Sequence, residues 1–241
     1  MRRKRKDGGL SKVTGVAYLK DLGDEDYERI KPAKGGTFGY NSRDMRGGQL
    51  YPCRLTRYSG ALPAELRLMS ELAKEVGEAL RWSYVQNRWE AQFKKATQTP
   101  LPFLLKTRDG GRTPFTTITC NRSWRTAAHV DKGDLKEGFG AMCCLGDFEG
   151  CDLVFPRYQT AVRYREGDII LANVANEVHG NTPLLNPDGT KPSTANPPER
   201  LVCVLYYEEN MDQCETSVEA ELEFINSREK GDPIYPKKKK S

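Results

Sequence analysis

After Pro100 the chain is cut by Gly and Asp into seven short apolar runs, at 115–121, 139–145, 151–155, 160–165, 168–174, 177–182 and 200–207. Runs of this length, set off by turns such as Gly146-Asp147 and Glu166-Gly167-Asp168, suit short strands, and a succession of them predicts a β-sandwich or barrel. The preceding stretch has another period. Leu62, Leu66, Met69, Leu72, Ala73, Val76 and Leu80 recur at helical spacing behind Pro63, which predicts a helix over 63–81. A second is predicted over 83–96, and the apolar stripes of both are expected to cover a sheet. The fold class is α+β, helices first and strands after.

Residues 1–50 are rich in Gly and charge and poor in apolar positions, so they read as an irregular segment wrapping a core. The domain reading is an irregular basic segment over 1–35, one domain over 36–210 with its helical part at 62–97 and its strands at 114–208, and a C-terminal segment over 211–241. Asn181 to Glu199, rich in Pro, Asn, Gly and Thr, reads as a long surface loop.

The net charge of +5 is unevenly spread. Residues 2–6 and 237–240 hold nine of the 38 basic residues, which leaves 29 against 33 acidic ones and a charge of −4 for residues 7–236. Basic tails of this kind attract polyanions such as nucleic acid, or serve as solvated ends or a nuclear signal. Met1 to Lys6 has the charged start of a signal peptide with no apolar segment behind it, and no run approaches the roughly 18 apolar residues of a membrane span. Seven cysteines at 53, 120, 143, 144, 151, 203 and 214 form an odd set with no Cys-x-x-Cys pair, several of them inside apolar runs. They read as reduced, buried thiols in a reducing compartment, with neither a disulfide framework nor a zinc knuckle.

Only two histidines are present, His129 and His179, and the second falls in the run at 177–182. In His129-Val130-Asp131, alternation along a strand presents an imidazole and a carboxylate on one face. His179 lies on a later strand beside Gly180, which permits close approach of something bulky. Two histidines and a carboxylate are the facial triad of non-haem iron enzymes, and the same ligands also serve zinc hydrolases. Arg200, at the start of the last apolar run, discriminates between them if it faces inward, because a guanidinium there holds a dicarboxylate; otherwise it is a solvated strand end.

The stretches Pro114 to Asn121, His129 to Asp134, Gly138-Phe139-Gly140, Leu145 to Pro156, Gly167 to Leu171 and His179-Gly180-Asn181-Thr182, with Glu199-Arg200, resemble the TET/JBP family of iron- and 2-oxoglutarate-dependent nucleobase dioxygenases, in the compact form of its phage and protist members. The resemblance implies a double-stranded β-helix (jelly-roll) core with the N-terminal helices packed on it. It implies Fe(II) on His129, Asp131 and His179, and 2-oxoglutarate on Arg200, with O2 as oxidant. Asp134 would then contact a base flipped out of DNA, its carboxylate accepting from the exocyclic amine of cytosine; its alternative is a turn residue after Gly133. The expected Arg-x-Ser is Arg200-Leu201-Val202 here, so Arg125, Thr119 or Asn121 is expected to supply a further cosubstrate contact. Alternation from Arg200 puts Val202, Val204 and Tyr206 on its face, which makes Tyr206 the candidate to stack on the base and leaves Tyr207 outside.

The expectation is an enzyme that oxidises the methyl group of 5-methylcytosine in DNA, with formyl and carboxyl products if the base re-enters the site. The alternatives are a JBP-like thymine hydroxylase, an oxygenase of the same fold acting on RNA, protein or a small molecule, and a non-catalytic jelly-roll binding protein. The partner is DNA with a flipped-out base and no membrane. The location is intracellular, in the cytoplasm of an infected host or in a nucleus.

Overall fold

Residues 201–206 carry apolar side chains on both faces, and the molecule is built in layers to cover each. The computed structural model describes residues 35–42, 44–46, 49–51, 53–99, 111–193 and 198–214. The basic tails, and nearly all of the expected 1–35 and 211–241 segments, lie outside these residues. In chain order the strands are β1 (Gly36–Asn41), β2 (Asp44–Arg46), β3 (Gln49–Tyr51) and β4 (Arg54–Leu55). Three helices follow, α1 (Arg57–Ala61), α2 (Pro63–Arg81) and α3 (Gln86–Gln98). Then come β5 (Thr117–Arg122), β6 (Gly140–Leu145), β7 (Glu149–Gly150), β8 (Leu153–Phe155), β9 (Thr160–Val162), β10 (Ile169–Ala172), β11 (Gly180–Asn181), β12 (Leu184–Leu185) and β13 (Leu201–Tyr206).

The larger sheet is antiparallel in the order β10-β6-β13-β5-β1-β4. Opposite it lie a three-stranded β11-β8-β9 sheet and the β12-β7 pair. Together these form the jelly roll. Cys203 and Leu205 of β13 point outward with Phe38, Ile118 and Ala141 and are buried by Ala73, Val76 and Leu80 of α2. Val202 points inward with Met142, Cys144, Leu153, Tyr164 and Leu184, and Val204 packs against this second cluster. Each fully buried aliphatic side chain contributes about 1.5–3 kcal/mol, so the alternation fixes the register of the central strands. The expected helix over 63–81 is α2, and its predicted stripe is the one in the outer cluster; α3 starts three residues later than expected. No described helix is long and apolar enough to cross a membrane.

Three expectations change. Residues 36–41, read as part of an irregular segment, form β1 and pair with β5. Their glycines hid the strand, yet Gly39 is required there: its φ is +96°, and a Cβ would lie 2.1 Å from the carbonyl oxygen of Thr116. The expected loop at 181–199 is partly folded, because Leu184 and Leu185 pair with β7 and Leu184 is buried. Finally, Cys53 and Cys214 form a disulfide, with Cα atoms 5.6 Å apart, whereas Cys120, Cys143, Cys144, Cys151 and Cys203 are free. No spacing rule finds a pair 161 residues apart in sequence. What brings the two together is a cluster in which β4 and the 3-10 turn at Glu209–Gln213 pack around Tyr40, Leu135 and Tyr207.

A bridge closing a loop this long contributes about 2–4 kcal/mol. Dithiothreitol is expected to lower the Tm of the wild-type chain and to leave unchanged that of a variant carrying Cys53→Ser and Cys214→Ser. Equal melting of the wild type with and without reductant would show that the pair is not bridged in solution.

Candidate metal centre

Neither His129 nor Asp131 lies on a regular strand. His129 forms a single antiparallel bridge with His179, in which each backbone N–H donates to the other's carbonyl at 2.9 Å. Asp131 N–H donates to Val174 O at 2.9 Å, and a turn closes behind it with Asp134 N–H donating to Asp131 O at 3.0 Å. The alternation expected of a strand is thus achieved by two local backbone contacts. Gly180 does permit a close approach, and what approaches is the backbone of the segment carrying His129. A Cβ at 180 would lie 3.0 Å from Ala127 C and Ala128 N.

The three side chains converge. His129 Nε2 is 3.1 Å from Asp131 Oδ1, His179 Nε2 is 3.6 Å from Asp131 Oδ2, and one ligand atom from each residue lies within 4.8 Å of the others. Among the described residues this is the only cluster of three or more His, Cys, Asp or Glu so placed. Both rings are oriented from behind: His129 Nδ1 is 2.7 Å from Ala127 O, and His179 Nδ1 is 3.0 Å from Glu177 O. A carbonyl can only accept, so each Nδ1 carries a proton and each Nε2 is turned toward Asp131, where a metal would take its lone pair. Burial lowers the pKa of His179; at His129 burial is again the largest single influence, but the bond and charge of Asp131 with the backbone contacts to Ala127 and His179 together outweigh it and the pKa is raised. These residues fit a divalent transition metal.

Asn181, just beyond His179, ties the site together. Its Nδ2 donates to Cys151 O at 3.1 Å, and its Oδ1 accepts from Thr126 Oγ1 at 2.8 Å. Arg125, expected on the cosubstrate, is buried with Nε donating to Asn181 O at 3.4 Å. Arg200 is 2% exposed and faces inward. Its Nη1 donates to Trp124 O at 3.0 Å and its Nη2 to the hydroxyl of Tyr164, and its guanidinium lies 5.3 Å from the centre of the Phe148 ring. Thr119 is not brought to Arg200; its hydroxyl lies 3.2 Å from that of Tyr206, at the other end of β13. Asn121 stands opposite Val202, half-buried, on the same face of β5 as Thr119.

Asp134 and Tyr206 line a tightly filled recess with Gln92, Phe139 and Ala175. Asp134 is buried and makes a backbone bridge with Glu208. Its Oδ2 has no hydrogen-bond partner among the described residues. Burial, with the charges of Asp131 and Glu208 adding to it, pushes its carboxyl up to about 9. The ionised carboxylate expected from the sequence is therefore a neutral acid near pH 7, able to donate as well as accept. Tyr207 packs on the far side, its hydroxyl 2.8 Å from Thr99 Oγ1. Tyr164, Phe148, Asn181 and the carbonyls of Ala127 and Glu177 escaped the sequence reading; only the alternation through 160–165 hinted that Tyr164 faces the interior.

The family described as the oxygenase domain of the 2OGFeDO superfamily, Tet_JBP, matches residues 44–209. A bifunctional helicase and thymine dioxygenase JBP2 of Leishmania infantum is 46% identical over 77 residues, 32% of this chain and 7% of that protein. A thymine dioxygenase JBP1-A of Trypanosoma cruzi (strain CL Brener) is 32% identical over 122 residues, 49% of this chain and 14% of that one. The chain thus aligns with only a small part of these relatives' length. Among solved structures, NgTET1 in complex with 5mC DNA superposes with a TM-score of 0.56 at 11% identity, covering 84% of this chain and 74% of that one, a likeness of fold.

Gly180→Ala is expected to press the His129 segment away from His179 and to weaken Mn(II) binding about ten-fold, the usual cost of disturbing what orients a ligand. Titration followed by electron paramagnetic resonance reads this, and unchanged affinity would mean that the 127–129 backbone yields without moving the ligand.

Proposed function

Because this chain belongs to the Tet_JBP family of 2OGFeDO-superfamily oxygenases, we propose that it oxidises the methyl group of 5-methylcytosine in DNA, using Fe(II), 2-oxoglutarate and O2. The observation that carries the reading is the convergence of two Nε2 lone pairs and one carboxylate beside Asp134, whose buried Oδ2 has no partner among the described residues. His129, Asp131 and His179 would hold the iron, which with 2-oxoglutarate and O2 supplies a C–H hydroxylation coupled to release of succinate and carbon dioxide. The protein's own part is to orient and to exclude water. The backbone bridge between His129 and His179 sets the spacing of the ligands, Arg200 binds the distal carboxylate of 2-oxoglutarate, and Asp134 with Tyr206 receives the extruded base.

A second reading, thymine as the base, is favoured by two observations. The relatives named above are thymine dioxygenases, and a neutral Asp134 can donate to the carbonyl of thymine as readily as it accepts from the amine of cytosine.

Two measurements test the reading. His179→Ala is expected to abolish both succinate formation and base oxidation in a chain that still folds, since His129 is the sole remaining histidine. Full turnover in this variant would remove the iron centre. Competitive oxidation of duplexes carrying 5-methylcytosine or thymine, read by nucleoside mass spectrometry as relative kcat/KM, decides the base. Asp134→Leu, which removes both donor and acceptor at similar size, is expected to lower kcat/KM for the preferred base about 5- to 150-fold, the range of one base-edge contact. A kcat/KM unmoved by the substitution would assign Asp134 to the turn alone.

A further inference from the structure

Arg200 is a buried cation with an incomplete set of partners. Only Trp124 O and the Tyr164 hydroxyl accept from it, its Nε has no partner, and no carboxylate pairs with it among the described residues. A buried guanidinium left in this state is completed by an anion. The next residue on its face of β13 is Val202, which offers no polar atom.

Tyr164, in the connection between β9 and β10, is 1% exposed, with its hydroxyl against Arg200. Because Arg200 donates into the phenol oxygen, the O–H proton is directed elsewhere, and no acceptor receives it among the described residues. Burial pushes this phenol up to about 12, so the proton stays on throughout the range in which a protein of this kind works. The backbone at Tyr164 is held from outside. Arg165 Nη1 donates to Tyr164 O at 2.8 Å, and its Nη2 reaches Glu149 at 2.7 Å. The Arg165 guanidinium lies 5.3 Å from the Phe148 ring centre, the same distance as that of Arg200. Phe148 is thus clamped by two cations, and Arg200 has a wall rather than solvent behind it.

We propose that Tyr164 is the second donor to the distal carboxylate of 2-oxoglutarate, forming with Arg200 a two-pronged clamp in which the guanidinium and the phenol each serve the carboxylate. The proposal rests on the assignment of Arg200 to the cosubstrate. It gives the hydroxyl contact to a residue outside β13, and removes it from Thr119, which stands beside Tyr206.

The test is calorimetric binding of 2-oxoglutarate to the full chain loaded with Mn(II), which allows no turnover. Pyruvate, which has the same keto-acid end and no distal carboxylate, is the second probe. Tyr164→Phe is expected to weaken 2-oxoglutarate binding about 10- to 100-fold, the effect of one hydrogen bond to a charged group. Pyruvate affinity is expected to stay unchanged even though Tm falls with the loss of an Arg200 acceptor, so that the preference for the longer acid collapses. If both acids lose affinity equally, Tyr164 acts on the fold or the metal, and the proposal falls. If neither loses affinity, it also falls while the oxygenase reading stands. If the wild-type chain binds no 2-oxoglutarate, the oxygenase reading itself fails, and the clamp with it.

Discussion

The pair of backbone hydrogen bonds between His129 and His179 is the contact on which the rest of the site depends. It belongs to neither large sheet, yet it brings together segments 50 residues apart in sequence and sets the spacing of their side chains. Everything around it serves that pairing. Gly180 leaves room for the opposing backbone, Asn181 ties it to the inner sheet and to Thr126, and the Ala127 and Glu177 carbonyls turn the rings. Ligand geometry is thus fixed by main-chain atoms, which no side-chain rotamer change can relax.

The jelly roll supplies the rigidity this pairing needs. Its outer face is closed by α2 and its inner face by short strands that would be unstable alone. These short strands, β7, β8, β9, β11 and β12, are held by side-chain and turn contacts as much as by ladder bonds. Arg165 illustrates this: it joins Glu149, Gly150, Asp152 and Tyr164 from outside the barrel while stacking on Phe148. A polar network on the surface therefore shapes the lining of the interior.

Much of this was legible in the sequence because it follows from periodicity. The helix at 63–81, the inward face of β13 and the i, i+2 presentation of His129 and Asp131 all come from counting. What stayed hidden depends on contacts between distant segments. The strand at 36–41 was masked by glycines that exist because another backbone crosses close by. The disulfide joins residues with no local signature. The protonation of Asp134 reflects its burial first and then the charges of Asp131 and Glu208, the last of which is brought near only by the fold. Thr119 was a plausible cosubstrate partner on the inward face of β5, and register sets it apart from Arg200: it falls opposite Val204, three pairs beyond the Leu201–Arg122 pair and two from the Tyr206 end.

β13 also acts as a ruler. Arg200 stands at one end and Tyr206 at the other, about 20 Å apart for an extended strand, and both point to the same side because their separation is even. An insertion or deletion of one residue between them would turn one end inside out, so the strand's length is locked while its ends are not. The two ends are thereby separable parts. Under the proposed function, residues around Tyr206 can diversify toward a new base without disturbing Arg200, and a lineage built on this strand can explore substrates while keeping its cosubstrate site intact.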